Sequence, residues 1–86
     1  MHVIVSYDVE ANRTQLFKKI CHKYLPRIQN SVFEGDLRIS QINELIFALD
    51  KEVKSNETVR IWRFKEREIF KVYLLGKPIG SQENIL

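Results

Sequence analysis

The sequence is short of the residues that staple or punctuate small proteins. Among 86 residues there are one cysteine, Cys21, three glycines and two prolines. A lone cysteine excludes an intrachain disulfide and leaves no cysteine pair for zinc. The scattered glycines form no glycine-rich phosphate loop. No Ser-His-Asp or Cys-His arrangement can be argued, which removes the usual nucleophilic hydrolases. Long apolar runs are missing too. The opening is a strand-like segment with an ionisable end, not a basic region ahead of a long hydrophobic one. The expectation is neither a signal peptide nor a membrane span, and a soluble, reducing, cytoplasmic setting. There the N-x-T tripeptides at Asn12 and Asn56 carry no meaning for glycosylation. No internal repeat or low-complexity tract is visible.

What is present suffices for one small domain. The apolar share is 44%, with five Phe, three Tyr and one Trp, too rich for a disordered chain. Fourteen basic residues against eleven acidic ones give a net charge of +3. That balance leans only weakly toward polyanions and leaves most of the surface mixed.

The segment "HVIVSYD" alternates Val3, Val5 and Tyr7 against His2, Ile4, Ser6 and Asp8, a strand with one apolar and one mixed face. Asn12 stands three residues before Gln15, a capping-box spacing that opens a helix. Its apolar stripe is Leu16, Phe17, Ile20, Cys21 and Tyr24. Lys18, Lys19, His22 and Lys23 fill the outer side, and Pro26 ends it. Ser40 is read as the cap of a second helix with the stripe Ile42, Leu45, Ile46, Leu49 and Val53. "KSNE" is a loop. "TVRIWRF" alternates Val59, Ile61 and Arg63 against Arg60, Trp62 and Phe64, and "IFKVYLLG" reads as a further strand stopped by Gly76 and Pro78.

Between the helices lies "RIQNSVFEGDL", Arg27 to Leu37, which is strand-like but polar and overlong. Eleven extended residues reach roughly 36 Å, whereas a first helix of about 14 residues covers roughly 21 Å. The ribbon must turn, and Asn30-Ser31 is the turn-like dipeptide near its middle. The chain order is then strand, helix, strand, strand, helix, strand. This is an α+β, ferredoxin-like βαββαβ sandwich with an added C-terminal strand. Residues 1–76 are read as the domain and residues 77–86 as a C-terminal segment, whose apolar end at Ile85 and Leu86 is expected to contact a partner protomer.

Two helices cover one sheet face, so the other carries Ser6, Asp8, Arg60 and Trp62 without a helical cover. Such a face binds nucleic acid or packs on a second copy of itself. The RNA-recognition module has this chain order, but its aromatic-glycine pattern is absent from "TVRIWRF" and "SVFEGDL". The expectation is therefore a sheet-to-sheet homodimer.

Asp8, at the carboxyl end of the first strand, reads either as a turn aspartate or as a ligand for a hard cation such as magnesium or manganese. One carboxylate per chain is a poor metal site, whereas two across a dimer axis are plausible. Arg13 and Arg27 bracket the first helix and read as phosphate contacts or as surface salt bridges. His2 and His22 are read as surface residues; Cys21 and Phe17 are read as core.

The strand ending "YD", an arginine beginning a helix, and "SVFEG" at this distance together resemble the CRISPR-associated protein of the second core family, over residues 1 to about 75. The resemblance implies a homodimer that bridges dimers of the CRISPR integrase during spacer acquisition and holds duplex DNA. It also implies a metal-dependent endonuclease acting on single-stranded RNA or duplex DNA. Asp8 matches the catalytic metal aspartate, with Mg2+ or Mn2+ shared between the two Asp8 side chains of a dimer. Tyr7, Arg13, Arg27 and Phe33 match nucleic-acid-binding positions. Some relatives carry a second arginine where this chain has Gln15, a departure that bears on RNA cutting more than on DNA binding. The alternative reading is a VapD-type ribonuclease toxin of the same fold.

Overall fold

The computed structural model describes residues 1–65 and Leu75. Its strands are β1 (His2–Asp8), β2 (Arg27–Gln29), β3 (Val32–Asp36) and β4 (Thr58–Phe64). Its helices are α1 (Thr14–His22), entered through a 3-10 turn at Ala11–Arg13, and α2 (Ile39–Glu52). β1 is central and antiparallel to both β3 and β4, and the sheet order is β2-β3-β1-β4. This is the ferredoxin-like sandwich expected from the pattern. The strand read at "IFKVYLLG" and the tail 77–86 lie outside the described residues. No described helix is long and apolar enough to cross a membrane.

Alternation along β1 decides which face is sealed. Val3 and Val5 are fully buried and Tyr7 nearly so. Opposite them the register sets Gly35 and Phe33 on β3, and Arg63, Ile61 and Val59 on β4, so these residues share one face. Phe17 and Cys21 from α1, and Ile42, Leu45 and Leu49 from α2, close over it. Burial pushes the Cys21 thiol up to about 12, which leaves it a packing group and not a nucleophile. The opposite face carries His2, Ile4, Ser6 and Asp8 beside Phe64, Trp62, Arg60 and Thr58. Trp62 is 41% exposed there.

The polar ribbon turns at Asn30-Ser31, with an irregularity in the register between Arg27 and Gln29. The Tyr7 N–H donates to the Ser31 carbonyl at 3.2 Å, which ties the turn to the end of β1. Gly35 has a steric reason. A Cβ there would meet Leu25 Cδ2 at 3.1 Å and Pro26 Cδ at 3.2 Å. The Glu34 N–H donates to the Pro26 carbonyl at 3.1 Å and holds that segment in place.

The structure corrects both helix starts. The residue flanking α1 is Arg13, and Asn12 sits inside the preceding turn. Thr14 Oγ1 donates back to the Ala11 carbonyl. The residue flanking α2 is Arg38, whose N–H donates to Gln41 Oε1 at 2.9 Å, so Ser40 lies within the first turn. A glutamine three residues into the helix accepts from the flanking N–H, whereas a serine cap would accept from an N–H inside the first turn. Ile46, assigned to the buried stripe of α2, is 40% exposed.

Candidate nucleic-acid interface

β1 ends at the mouth of a cleft of about 420 Å3. Its walls are the β1 end (Tyr7, Asp8, Val9), the start of α1 (Thr14, Gln15, Lys18), and the hairpin residues Arg27, Asn30 and Ser31. Asp8 is exposed, and its carboxylate makes no hydrogen bond or ion pair with the other described residues. Because β1 and α1 run in opposite directions, the strand end and the helix start meet there. The hairpin turn reaches the same end through the Tyr7–Ser31 bond. Three chain segments thus bring one carboxylate, two cations and several amides and hydroxyls around one hollow.

Of the five residues singled out from sequence, the cleft gathers Tyr7, Asp8 and Arg27. Tyr7 contributes the edge of a buried ring. Burial raises its phenol above the ordinary value, with Cys21 acting in the same direction and Arg27 opposing, so the hydroxyl keeps its proton near neutrality. Phe33 is elsewhere: it is fully buried, its ring centroid 6.1 Å from that of Tyr7 and 5.6 Å from that of His22. Its link to the cleft runs through the Tyr7 ring.

Arg13 is also held away from the cleft. Its Nε donates to Glu57 Oε2 at 2.6 Å, and one terminal nitrogen donates to Glu57 Oε1 at 3.1 Å and to the Glu52 carbonyl at 2.6 Å. The guanidinium lies over Phe17, 5.4 Å from the ring centroid. Glu57 is buried and also accepts from the Lys54 N–H at 3.0 Å. The hydrogen bond from Arg13 holds the Glu57 carboxyl below the usual carboxylate range against the opposing effect of burial. The same bond raises Arg13. A bidentate clamp of this kind fixes the α2–β4 loop against α1.

His2, read as a surface residue, is 3% exposed. Its Nε2 lies 2.6 Å from Glu34 Oε2 and its Nδ1 3.0 Å from Asp36 Oδ1. This cluster sits at the opposite end of β1 from Asp8. Lys18, Gln15, Asn30 and Ser31 were missed as site residues, though a signal for the lysine exists. Residues 11–33 hold five of the fourteen basic residues and none of the eleven acidic ones. That segment alone exceeds the net charge of the chain.

Among the described residues, no group of three metal-ligating His, Cys, Asp or Glu side chains converges. The Asp8 carboxylate is a hard oxygen donor suited to magnesium or manganese, but one chain supplies it alone. The donor set fits a divalent cation as half of a site.

The comparisons agree with this geometry. The family described as CRISPR associated protein Cas2 matches residues 1–72. A curated relative from Archaeoglobus fulgidus, named CRISPR-associated endoribonuclease Cas2 2, is 36% identical, covering 99% of this chain and 96% of its own. Another from Frankia alni, named CRISPR-associated endoribonuclease Cas2, is 32% identical over the whole of both chains. A solved structure described as the crystal structure of cas2 superposes with a TM-score of 0.86 at 37% identity, covering 100% of this chain and 98% of that one. With the "YD" strand end, the closely packed glycine of "SVFEG" and the antiparallel sheet all in place, the chain belongs to the CRISPR-associated Cas2 family.

Proposed function

We propose that this chain is a CRISPR-associated adaptation protein whose homodimer binds nucleic acid and hydrolyses phosphodiesters at the Asp8 cleft. The observation that carries the reading is the exposed, unengaged Asp8 carboxylate beside Arg27 and Lys18. An acidic group left unneutralised next to two cations suits a site that receives both a metal ion and a phosphate. The curated relatives carry the name endoribonuclease, which supports the chemistry and favours this reading over a VapD-type toxin.

Arg27 and Lys18 hold the phosphate oxygens. Gln15, Asn30 and Ser31 offer neutral hydrogen bonds around them. Phe33 keeps the Tyr7 ring at the wall. Arg13, through Glu57, fixes the loop against α1 and acts as a positioning residue. Asp8 and a second Asp8 from another copy of the chain would hold a divalent cation, which would supply positive charge beside the phosphate and lower the pKa of bound water. Alternation places Asp8 on the same sheet face as Ile4, which pairs with Trp62. Pairing two such faces covers apolar surface, stabilising by about 25 cal/mol per Å², and brings two Asp8 residues onto one surface.

No exposed aromatic ring lines the cleft among the described residues, since Tyr7 is nearly buried. Contacts to backbone phosphate then dominate over base contacts, which suits substrates of any sequence. The same property serves duplex DNA during spacer acquisition, with the dimer bridging integrase dimers, a role that family membership supports.

The test is Asp8→Asn, assayed on single-stranded RNA and duplex DNA with and without chelator. Cleavage by wild type should vanish with the metal. The variant should not cut yet should bind both nucleic acids and dimerise as wild type does. Cleavage by Asp8→Asn at the wild-type rate, with contaminating nuclease excluded, overturns the assignment.

A further inference from the structure

Beside the Asp8 cleft, the outer face of α1 forms a second hollow of about 560 Å3 lined by Gln15, Lys18, Lys19, His22 and Lys23. Gln15 and Lys18 line both hollows, so the two surfaces are continuous. The five residues follow the spacing of a single helical stripe, at i, i+3, i+4, i+7 and i+8, and cover about 12 Å of helix axis. Lys19, His22 and Lys23 are exposed. None of the three lysines makes an ion pair within the described residues, and no acidic residue lies between Glu10 and Glu34 to neutralise them. The outward charge of this segment is therefore uncompensated locally, unlike that of Arg13, which Glu57 absorbs.

We infer that single-stranded RNA bound in the Asp8 cleft leaves it along the outer face of α1, its backbone held by Lys19, His22 and Lys23, with Lys18 as the contact common to both surfaces. This rests on the nuclease reading above and adds a direction to it. The chain contacts RNA well beyond the bond at Asp8 on one side, running from the start of α1 to its end. A stripe of this length matches about three phosphates of a stacked strand. Lacking an exposed aromatic, it binds by charge and is indifferent to base identity.

The test compares wild type, Lys19→Gln/Lys23→Gln and the charge-matched control Lys51→Gln/Lys54→Gln. Lys51 and Lys54 are exposed near the end of α2. Binding of single-stranded RNA of increasing length is measured across a salt series without divalent metal, to keep the RNA intact. Wild type should gain affinity as RNA lengthens beyond the cleft. Lys19→Gln/Lys23→Gln should lose that gain, and its log-log salt slope on long RNA should be shallower by about 1.4, or roughly 0.7 per phosphate contact removed. The control should stay close to wild type. If both double variants change equally, the α1 track is overturned while the cleft assignment stands. If wild type fails to bind RNA of any length, both fall. A loss seen on duplex DNA of matched length but not on RNA overturns the inference for RNA.

Discussion

Phe33 lets two accounts of one residue be separated by measurement. The family resemblance sets it at a nucleic-acid-binding position, whereas the fold buries it fully against Tyr7 and His22. Removing a buried phenyl ring to alanine costs about 3–5 kcal/mol. A chain of 86 residues has a total stability of about 4–13 kcal/mol at 0.05–0.15 kcal/mol per residue. Phe33→Ala should therefore lose at least about a quarter of the total stability, and all of it at the low end of that range. Phe33→Leu keeps most of the volume and should cost less than about 1.5 kcal/mol, lowering Tm by up to about 12 °C at 4–8 °C per kcal/mol. Its affinity for single-stranded RNA, measured well below Tm, should stay within twofold or so of wild type. Were the ring instead stacking on a base, its loss would cost about 1–3 kcal/mol of binding, about 5- to 150-fold, with little change in Tm. Thermal unfolding and filter binding on the same preparations decide the matter. An unshifted Tm with a tenfold loss of affinity refutes the buried reading.

Gly35→Ala should destabilise by about 1–3 kcal/mol through overpacking, because the added methyl meets a proline ring anchored by the Glu34–Pro26 hydrogen bond; denaturant unfolding with the midpoint unchanged would show that the loop yields freely. The Arg13–Glu57 clamp should make stability fall in acid. The folded Glu57 pKa lies below its ordinary value of 4.5, chiefly through the Arg13 hydrogen bond. Its contribution is therefore complete above that value and is lost as pH falls through the depressed folded pKa. Glu57→Gln should be less stable than wild type near pH 7, with the two Tm curves converging as pH falls through the depressed folded pKa of Glu57. A constant offset across that range would show that the carboxylate charge is immaterial.

Local signals made much of this fold legible. Period-two alternation fixed β1 and its buried face, because Val3, Val5 and Tyr7 are apolar at every second position. Length arithmetic located the turn at Asn30-Ser31, since an eleven-residue extended ribbon outruns the helix beside it. The helix starts were less legible because a backbone N–H donates to any well-placed acceptor. Gln41 serves the Arg38 N–H from inside the helix, and a capping rule that looks only for serine or asparagine passes over it. Ile46 shows a similar limit: helical spacing marks a stripe, but how far around the helix the cover extends depends on what packs there.

The site was legible as positions more than as roles, for a reason visible in Arg13 and Arg27. Both are arginines flanking one helix, and nothing local distinguishes them. Their fates differ because Glu57, 44 residues along the chain from Arg13, is buried on the far side of the α2–β4 loop and claims its guanidinium. Arg27 has no such partner among the described residues and is left facing Asp8 across the cleft. His2 is settled in the same way by Glu34 and Asp36, which reach it through a cross-strand register that the sequence does not print. Long-range partners decide which charges are consumed by the fold, and those that remain define the interface. Across residues 11–33 the fold consumes Arg13 and leaves Lys18, Lys19, Lys23 and Arg27 on one flank of the molecule. A segment without acidic residues can spend few of its cations internally, so most of them remain available to a polyanion.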